Sequence, residues 1–210
     1  MRIAILGSGN VGRSLGGGLI RAGHAVTIGT RDATRADLVD WARTTGASLT
    51  STAAAAQTVE LVVLATAWSG AESTLRDAGE RALTGKVLLD ATNPTRFTTR
   101  LELAVTGEDS GGERVQAWAP GARVVKAFNT VGWELMAQPG LAAGPPTMPL
   151  CGNDPAARAQ VAALVTCLGW EPLDVGDLRS ARYLEALAML WIDFSIARKS
   201  RRHAWKLLRE

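Results

Sequence analysis

Met1-Arg2-Ile3-Ala4-Ile5-Leu6-Gly7-Ser8-Gly9-Asn10-Val11-Gly12 opens the chain. The apolar run Arg2–Leu6 reads as a strand, Gly7 cuts it off, and a helical pattern follows over Asn10–Ala22. Gly7 permits the tight turn, Gly9 lets backbone approach a pyrophosphate with no Cβ in the way, and Gly12 lets helix and sheet pack closely. The helix N-terminus adds free N–H donors that suit phosphate. Between a strand and a helix, this G-x-G-x-x-G spacing points to dinucleotide binding. Gly16, Gly17 and Gly18 lie inside the helix and read as close packing.

Working outward, short apolar runs alternate with helical patterns as far as residue 130, the signature of a parallel sheet with crossover helices. Further strands are expected at Ala25–Ile28, Ala47–Thr50, Leu61–Ala65, Lys86–Asp90 and Arg123–Ala127. Helices are expected near Arg35–Thr44, Ser69–Leu83 and Gly112–Ala119, with a polar loop over Thr106–Gly112. Four of the strands are apolar on both faces, as a sheet covered on both sides requires. Pro139–Pro149 holds four prolines and two glycines and breaks the pattern. The expected division is therefore a Rossmann domain over residues 1–138 and a small C-terminal part over 139–210. That part reads as strand Met148–Cys151, helix Pro155–Leu168, strand Glu171–Val175 and a long apolar helix from Arg179. The fold class is α/β: a doubly wound, mainly parallel Rossmann-type sheet with a small α/β extension ending in helices. Ala186, Leu187, Leu190, Trp191, Phe194 and Ile196 are too apolar for a free surface helix and suit covering a groove or a second subunit.

The chain has 210 residues, 47% hydrophobic and 20% charged, which excludes disorder, collagen and a disulfide scaffold. Two cysteines, Cys151 and Cys167, and two histidines, His24 and His203, offer no zinc-ligand spacing and suit a reducing cytoplasm. Leu184–Ala197 contains Glu185 and Asp193 and is shorter than the roughly 20 residues of a membrane span. Met1-Arg2 leads straight into a strand, so neither a signal peptide nor membrane association is expected. The net charge of +3 is uneven, because Arg198–Glu210 holds six basic residues and one acid. This concentration reads either as a solvated helix end or as an anion-binding element, and not as a general nucleic-acid surface.

The end of the second strand decides between NAD and NADP. An NAD site places a carboxylate there for the ribose 2′-OH, whereas this chain has Ile28-Gly29-Thr30-Arg31, with Arg35 one turn on. A hydroxyl and two guanidiniums suit a 2′-phosphate, so NADP(H) is the expected cofactor. Asp32 is the counter-argument, although it also reads as a cap for the next helix.

The remaining tips read Ala65-Thr66-Ala67-Trp68, Asp90-Ala91-Thr92-Asn93-Pro94 and Lys126-Ala127-Phe128-Asn129-Thr130. Thr66, Ala67, Trp68, Asn93, Pro94, Ala127, Phe128 and Asn129 are thus candidate lining residues beyond the strand ends. Trp68 and Phe128 read equally as core, and Asn93-Pro94 as a turn. Lys126 reads equally as pointing outward or into the sheet edge. No catalytic proton-transfer set stands out: His24 precedes a strand away from the crevice, and His203 lies in the basic segment. Hydride transfer between two redox cofactors needs alignment and water exclusion more than an acid or base.

These residues resemble the NADPH-dependent F420 reductase family over nearly the whole chain. The resemblance rests on Met1–Gly7 with Gly9-Asn10, Gly29-Thr30-Arg31, Ala67-Trp68, Val124–Thr130, Pro149–Asp154, Glu171–Leu178, Leu184-Glu185 and Trp205–Leu208. It implies an NADP site built from Ser8, Gly9, Asn10 and Val11. Thr30, Arg31 and Arg35 would hold the 2′-phosphate, with Arg35 replacing a family lysine, and Thr66, Asn93 and Ala127 would line the ribose and nicotinamide end. It further implies a C-terminal part that closes the pocket, a homodimer, and coenzyme F420 as the small-molecule redox partner. Ala67 stands where that family usually has proline. Asn93-Pro94 and Lys126–Thr130 look more like the cytosolic reductase domain of six-transmembrane metalloreductases, which implies a flavin as the alternative acceptor. Reduction of a small imine or carbonyl compound, or a non-catalytic NADP(H) sensor, are the other functions considered.

Overall fold

The computed structural model describes residues 1–210. Strand β1 (Arg2–Leu6) leads into α1 (Asn10–Arg21), then β2 (Ala25–Gly29), α2 (Ala36–Thr45), β3 (Ser48–Thr50), α3 (Thr52–Gln57) and β4 (Leu61–Leu64). The chain continues through α4 (Ala71–Ala78), α5 (Glu80–Leu83), β5 (Val87–Asp90), a hairpin of β6 (Thr95–Phe97) and β7 (Leu101–Leu103), α6 (Gly111–Trp118) and β8 (Arg123–Lys126). It ends with α7 (Trp133–Met136), β9 (Thr147–Gly152), α8 (Pro155–Cys167), β10 (Glu171–Asp174) and α9 (Ala181–Arg198).

Eight strands form one sheet in the order β10-β9-β8-β5-β4-β1-β2-β3. All pairings are parallel except β8 with β9. The order reverses between β1 and β4, the crevice where doubly wound sheets bind nucleotides. Consecutive β1 residues serve opposite cores: Ile3 and Ile5 join one apolar cluster with α1, α7 and α8, and Ala4 and Leu6 join the other with α3, α4 and α6. The expected division at residues 138 and 139 falls in the connection between α7 and β9, and β9 and β10 extend the same sheet. No helix is long and apolar enough to cross a membrane.

Several elements differ from the sequence expectation. The helix expected over Ser69–Leu83 is a short 3-10 turn (Trp68–Gly70) followed by α4 and α5, parted at Gly79, whose φ is +86°. Ala53–Ala56 lie in α3, a helix the sequence expectation did not include, started by Ser51, whose hydroxyl accepts from Ala54 N. The basic C-terminal residues are not a helix end: α9 stops at Lys199 (φ +49°), and the chain turns back as a strap. Thr147 N donates to Trp205 O at 2.8 Å, and Leu207 N donates to Thr147 Oγ1 at 3.0 Å, which pins the strap to the start of β9.

Lys126 points neither outward nor into the sheet edge. It is fully buried, and its ammonium meets Asp90 Oδ2 at 2.7 Å, Thr92 O at 2.9 Å and Glu185 Oε1 at 3.0 Å. Glu185, on α9, also accepts from Gly111 N and Gly112 N at the start of α6. A Cβ at Gly112 would lie 2.9 Å from Ala181 Cβ, so the glycine pair lets α9 approach this closely. A second tie is the two-bonded Arg182–Glu113 ion pair, at 2.9 and 3.0 Å.

Burial alone would lower the Lys126 pKa, but the Asp90 and Glu185 carboxylates outweigh it and hold the ammonium above the ordinary lysine value. A pKa raised on folding contributes stability that is complete below the unfolded value, about 10.4, and is lost as pH climbs through the folded value. Lys126→Met leaves two buried carboxylates without their counter-ion and should cost roughly 3–5 kcal/mol. Urea unfolding should show this loss at pH 7, and the variant should show a smaller decline of stability above about pH 10. A loss below about 1 kcal/mol, the scale of an exposed pair, would contradict the arrangement.

Candidate functional site

Two cavities lie beyond the strand tips, one bordered by the Gly7–Gly9 turn and the other by Val11 of α1. The first, about 490 Å³, lies over the crevice and is lined by the Gly7–Gly9 turn, Thr30, Arg31, Arg35, Thr66 and Ala67, with Ser73, Thr74 and Asp77 of α4 on its far wall. Gly7 has φ +124°, and a Cβ there would collide with Ala65 O. A Cβ on Gly12 would collide with Gly7 O, whereas one on Gly9 would meet nothing within 4 Å. Gly7 and Gly12 therefore serve the fold, and Gly9 keeps space open. No side chain caps α1 and no acid stands in its first turn, which leaves its N–H donors for a phosphate. Thr66 Oγ1 is buried without a partner at the same wall. These features fit a dinucleotide.

The 2′-phosphate candidates converge. Thr30 Oγ1 lies 3.2 Å from Ser8 Oγ, and Arg35 Nη2 donates to Ser8 O at 3.2 Å. Arg35 is oriented by Asp37 at 2.6 Å, and Asp37 also pairs with Arg13 at 3.0 Å. The Arg35 hydrogen bond chiefly holds the Asp37 carboxyl below its ordinary pKa. Arg31 is exposed at the cavity wall. Asp32 does not cap α2, whose N-cap is Arg35, but folds onto Thr34 N and Oγ1 at 2.8 and 2.6 Å. Those bonds keep it ionised to lower pH than usual and occupy one of its oxygens.

The second cavity, about 690 Å³, lies beyond β5 and β8. Ala91, Asn93, Phe128 and Asn129 come from the strand tips, Val11 from α1, Trp133 and Met136 from α7, and Trp191, Ile192 and Ser195 from α9. Neither a carboxylate nor an imidazole lines it. Asn93 Nδ2 donates to Asn129 O at 2.8 Å, and Asn129 Nδ2 donates to Asn93 Oδ1 and Leu184 O, both at 3.1 Å. This pair ties both tips to α9. Phe128 is buried at φ +64°, with its N–H directed to Met148 Sδ at 3.2 Å. A left-handed non-glycine residue is costly and is held by its surroundings.

Other expected residues stand elsewhere. Trp68 packs on Trp118 with centroids 5.1 Å apart, Pro94 abuts Gly111 at the start of α6, and Ala127 is core. Asn10 accepts from Arg13 Nη2 at 3.2 Å in a neighbouring cleft. His24 lies beside the N-terminal amine, and burial lowers its pKa. Burial pushes the Cys151 thiol up to about 12, so it is not a nucleophile. Sequence alone places His203 only in the basic segment. It stacks on Trp191 at 4.8 Å, with Nε2 3.3 Å from Ser195 Oγ. The strap's return brings it there.

The family of NADP oxidoreductases that depend on coenzyme F420 matches residues 2–94. A protein from Arthrobacter sp. FB24, provisionally assigned as an F420-dependent NADP-reductase, is 39% identical, with all of both chains covered and a TM-score of 0.94. This chain belongs to that family. It is an NADP-dependent oxidoreductase. Metalloreductase STEAP3 of Rattus norvegicus is 32% identical over 194 residues, 90% of this chain and 36% of that protein. The oxidoreductase thus spans about a third of the length of the curated relatives it matches. An imine reductase of Streptomyces aurantiacus, 19% identical with a TM-score of 0.67 over 94% of this chain and 64% of that one, shares the fold.

Arg31→Ala should weaken NADPH binding by roughly 1.5–3 kcal/mol, the range for hydrogen bonds to a charged group, and leave NADH binding nearly unchanged. Titration calorimetry with both nucleotides checks this, and equal losses would contradict the 2′-phosphate assignment. Gly9→Ala should leave the melting temperature unchanged while weakening both nucleotides, whereas Gly12→Ala should lower the melting temperature itself. The reverse pattern would move the pyrophosphate away from this turn.

Proposed function

We propose that this oxidoreductase transfers a hydride directly between NADPH and a second ring cofactor, coenzyme F420 or, failing that, a flavin. The observation that carries the reading is the second cavity. It is lined largely by apolar side chains, lies beyond β5 and β8 next to the strand tips, and is walled by Phe128, Trp133, Met136, Trp191 and Ile192. Such walls suit a planar ring. NADPH supplies the hydride, and the balance is NADPH plus oxidised acceptor plus a proton, giving NADP⁺ and reduced acceptor.

In this reading Ser8, Gly9 and the first turn of α1 hold the pyrophosphate, and Thr30, Arg31 and Arg35 hold the 2′-phosphate. Asn93 and Asn129, fixed by their mutual bonds, define the end of the ring site. Orientation of this kind is worth roughly 7–11 kcal/mol of a barrier. The family and the Arthrobacter relative support F420, and the metalloreductase relatives support the flavin alternative. The reading includes a cytoplasmic location and a homodimer, the latter supported by exposed Tyr183, Leu190 and Phe194 along one face of α9.

One observation favours a second reading, reduction of a small imine or carbonyl compound. Ser195 Oγ, at the cavity wall, lies 3.3 Å from His203 Nε2, an arrangement able to deliver a proton. A spectrophotometric assay with NADPH and, in parallel, F420, FMN, FAD or a cyclic imine distinguishes these. Loss of deazaflavin absorbance matched by NADPH oxidation is expected. Turnover of the imine alone would establish the second reading. Tight NADPH binding with no turnover of any acceptor would overturn both and leave a nucleotide sensor.

A further inference from the structure

Opposite the arginines, the first cavity has a wall of different character. Ser73, Thr74 and Asp77 share one face of α4, and Asp77 is the sole carboxylate among the residues that line the cavity. It is exposed and takes part in no ion pair. Arg76 beside it is bound to Glu72 at 2.7 Å, and Arg35 across the cavity to Asp37 at 2.6 Å. Ser73 Oγ donates to Gly70 O at 3.1 Å, which leaves it only lone pairs to offer a ligand. The half-buried Thr74 brings a hydroxyl able to donate or accept. Asp77 is poorly placed for both the helix and the phosphates. It stands in the last turn of α4, where the helix dipole disfavours an anion. It also faces a cavity suited to phosphates, which an unpaired carboxylate repels.

The covalent layout of the cofactor gives this carboxylate a partner. The 2′-phosphate and the adenine are carried by one ribose. With the phosphate at Thr30, Arg31 and Arg35 and the pyrophosphate at Gly7–Gly9, the wall left for the base is Ser69, Gly70 and this face of α4. Adenine offers an amino group as donor and ring nitrogens as acceptors. We propose that Asp77 is a specificity-determining residue that reads the base: its carboxylate accepts from the adenine amine, and Thr74 donates to a ring nitrogen. The inference rests on the assignment of the first cavity to NADP(H) and adds which purine that cavity takes. Hypoxanthine has a carbonyl where adenine has the amine, so it sets one acceptor against another and leaves both unpaired. The bond lies at the solvent edge, so the discrimination is modest.

Titration calorimetry on the full chain compares NADPH with its deaminated analogue, which carries hypoxanthine in place of adenine. NADPH should bind about fivefold to tenfold tighter, the scale of one partly solvated hydrogen bond. Asp77→Asn, whose amide turns to suit either base, should bring the two affinities together. Asp77→Lys should reverse their order, because an ammonium donates to the hypoxanthine carbonyl. Both substitutions fall in an exposed last helical turn, and melting temperatures should match that of the unaltered protein. Equal binding of the two nucleotides by the unaltered protein would overturn the proposal and leave the assignment of the first cavity standing. Asp77→Asn that tightens both equally and keeps the preference would also overturn it, since that is the mark of a plain surface charge. Binding of neither nucleotide would overturn both.

Discussion

An ammonium with no access to water must find a partner for each of its three protons, and Lys126 finds Asp90, Thr92 and Glu185. Asp90 ends β5, Lys126 ends β8, and Glu185 lies on α9, so one lysine ties two sheet strands to the last helix. The two carboxylates leave the group with one negative charge in excess. The start of α6 answers it, because Gly111 and Gly112 donate to Glu185 and the helix dipole favours an anion there. Isolated buried charges are prohibitive, and a pair is tolerated only with its remaining bonds satisfied. Here they are, and the outcome is positional: α9 has one seat.

The consequence for the site is direct. About two to three helix turns beyond Glu185, α9 presents Trp191, Ile192 and Ser195 to the space beyond the strand tips. Without α9 in place, the second cavity would be an open shelf. The Asn93–Asn129 pair repeats the logic on a smaller scale, since Asn129 also donates to Leu184 O beside Glu185. The nucleotide side is arranged independently, by backbone at Gly7–Gly9 and by the Arg13–Asp37–Arg35 network. The molecule thus has a first cavity set by local backbone and a second cavity whose shape depends on how its C-terminal helix is seated.

This division explains what was legible in the sequence. The β1–turn–α1 unit and the absence of an acid at Thr30-Arg31 are local patterns, and the structure forms them as read. So are the sheet strands, whose apolar runs need no knowledge of partners. The Lys126 cluster was not legible, because its bonding groups come from segments far apart in sequence and a lone lysine in a strand says nothing of them. Trp68 was drawn toward the site by its place at a strand tip, but Trp118 of α6 offered it a ring to pack on. The basic run resembled a helix end because Lys and Arg suit the last turn. Only the left-handed Lys199 reveals that the chain folds back, bringing Lys199 and Arg201 to the cavity and His203 onto Trp191 beside it.

The proposed reaction is direct passage of hydrogen from the nicotinamide to an acceptor ring in the second cavity. Deuterium placed at the transferring C4 position of NADPH follows that passage, because a deazaflavin keeps the incoming hydrogen on carbon. With F420 as acceptor, mass spectrometry of the reduced product should show the label retained and none released to water. Reduced product carrying only solvent hydrogen, or label lost to the buffer, would contradict direct transfer and the site built for it.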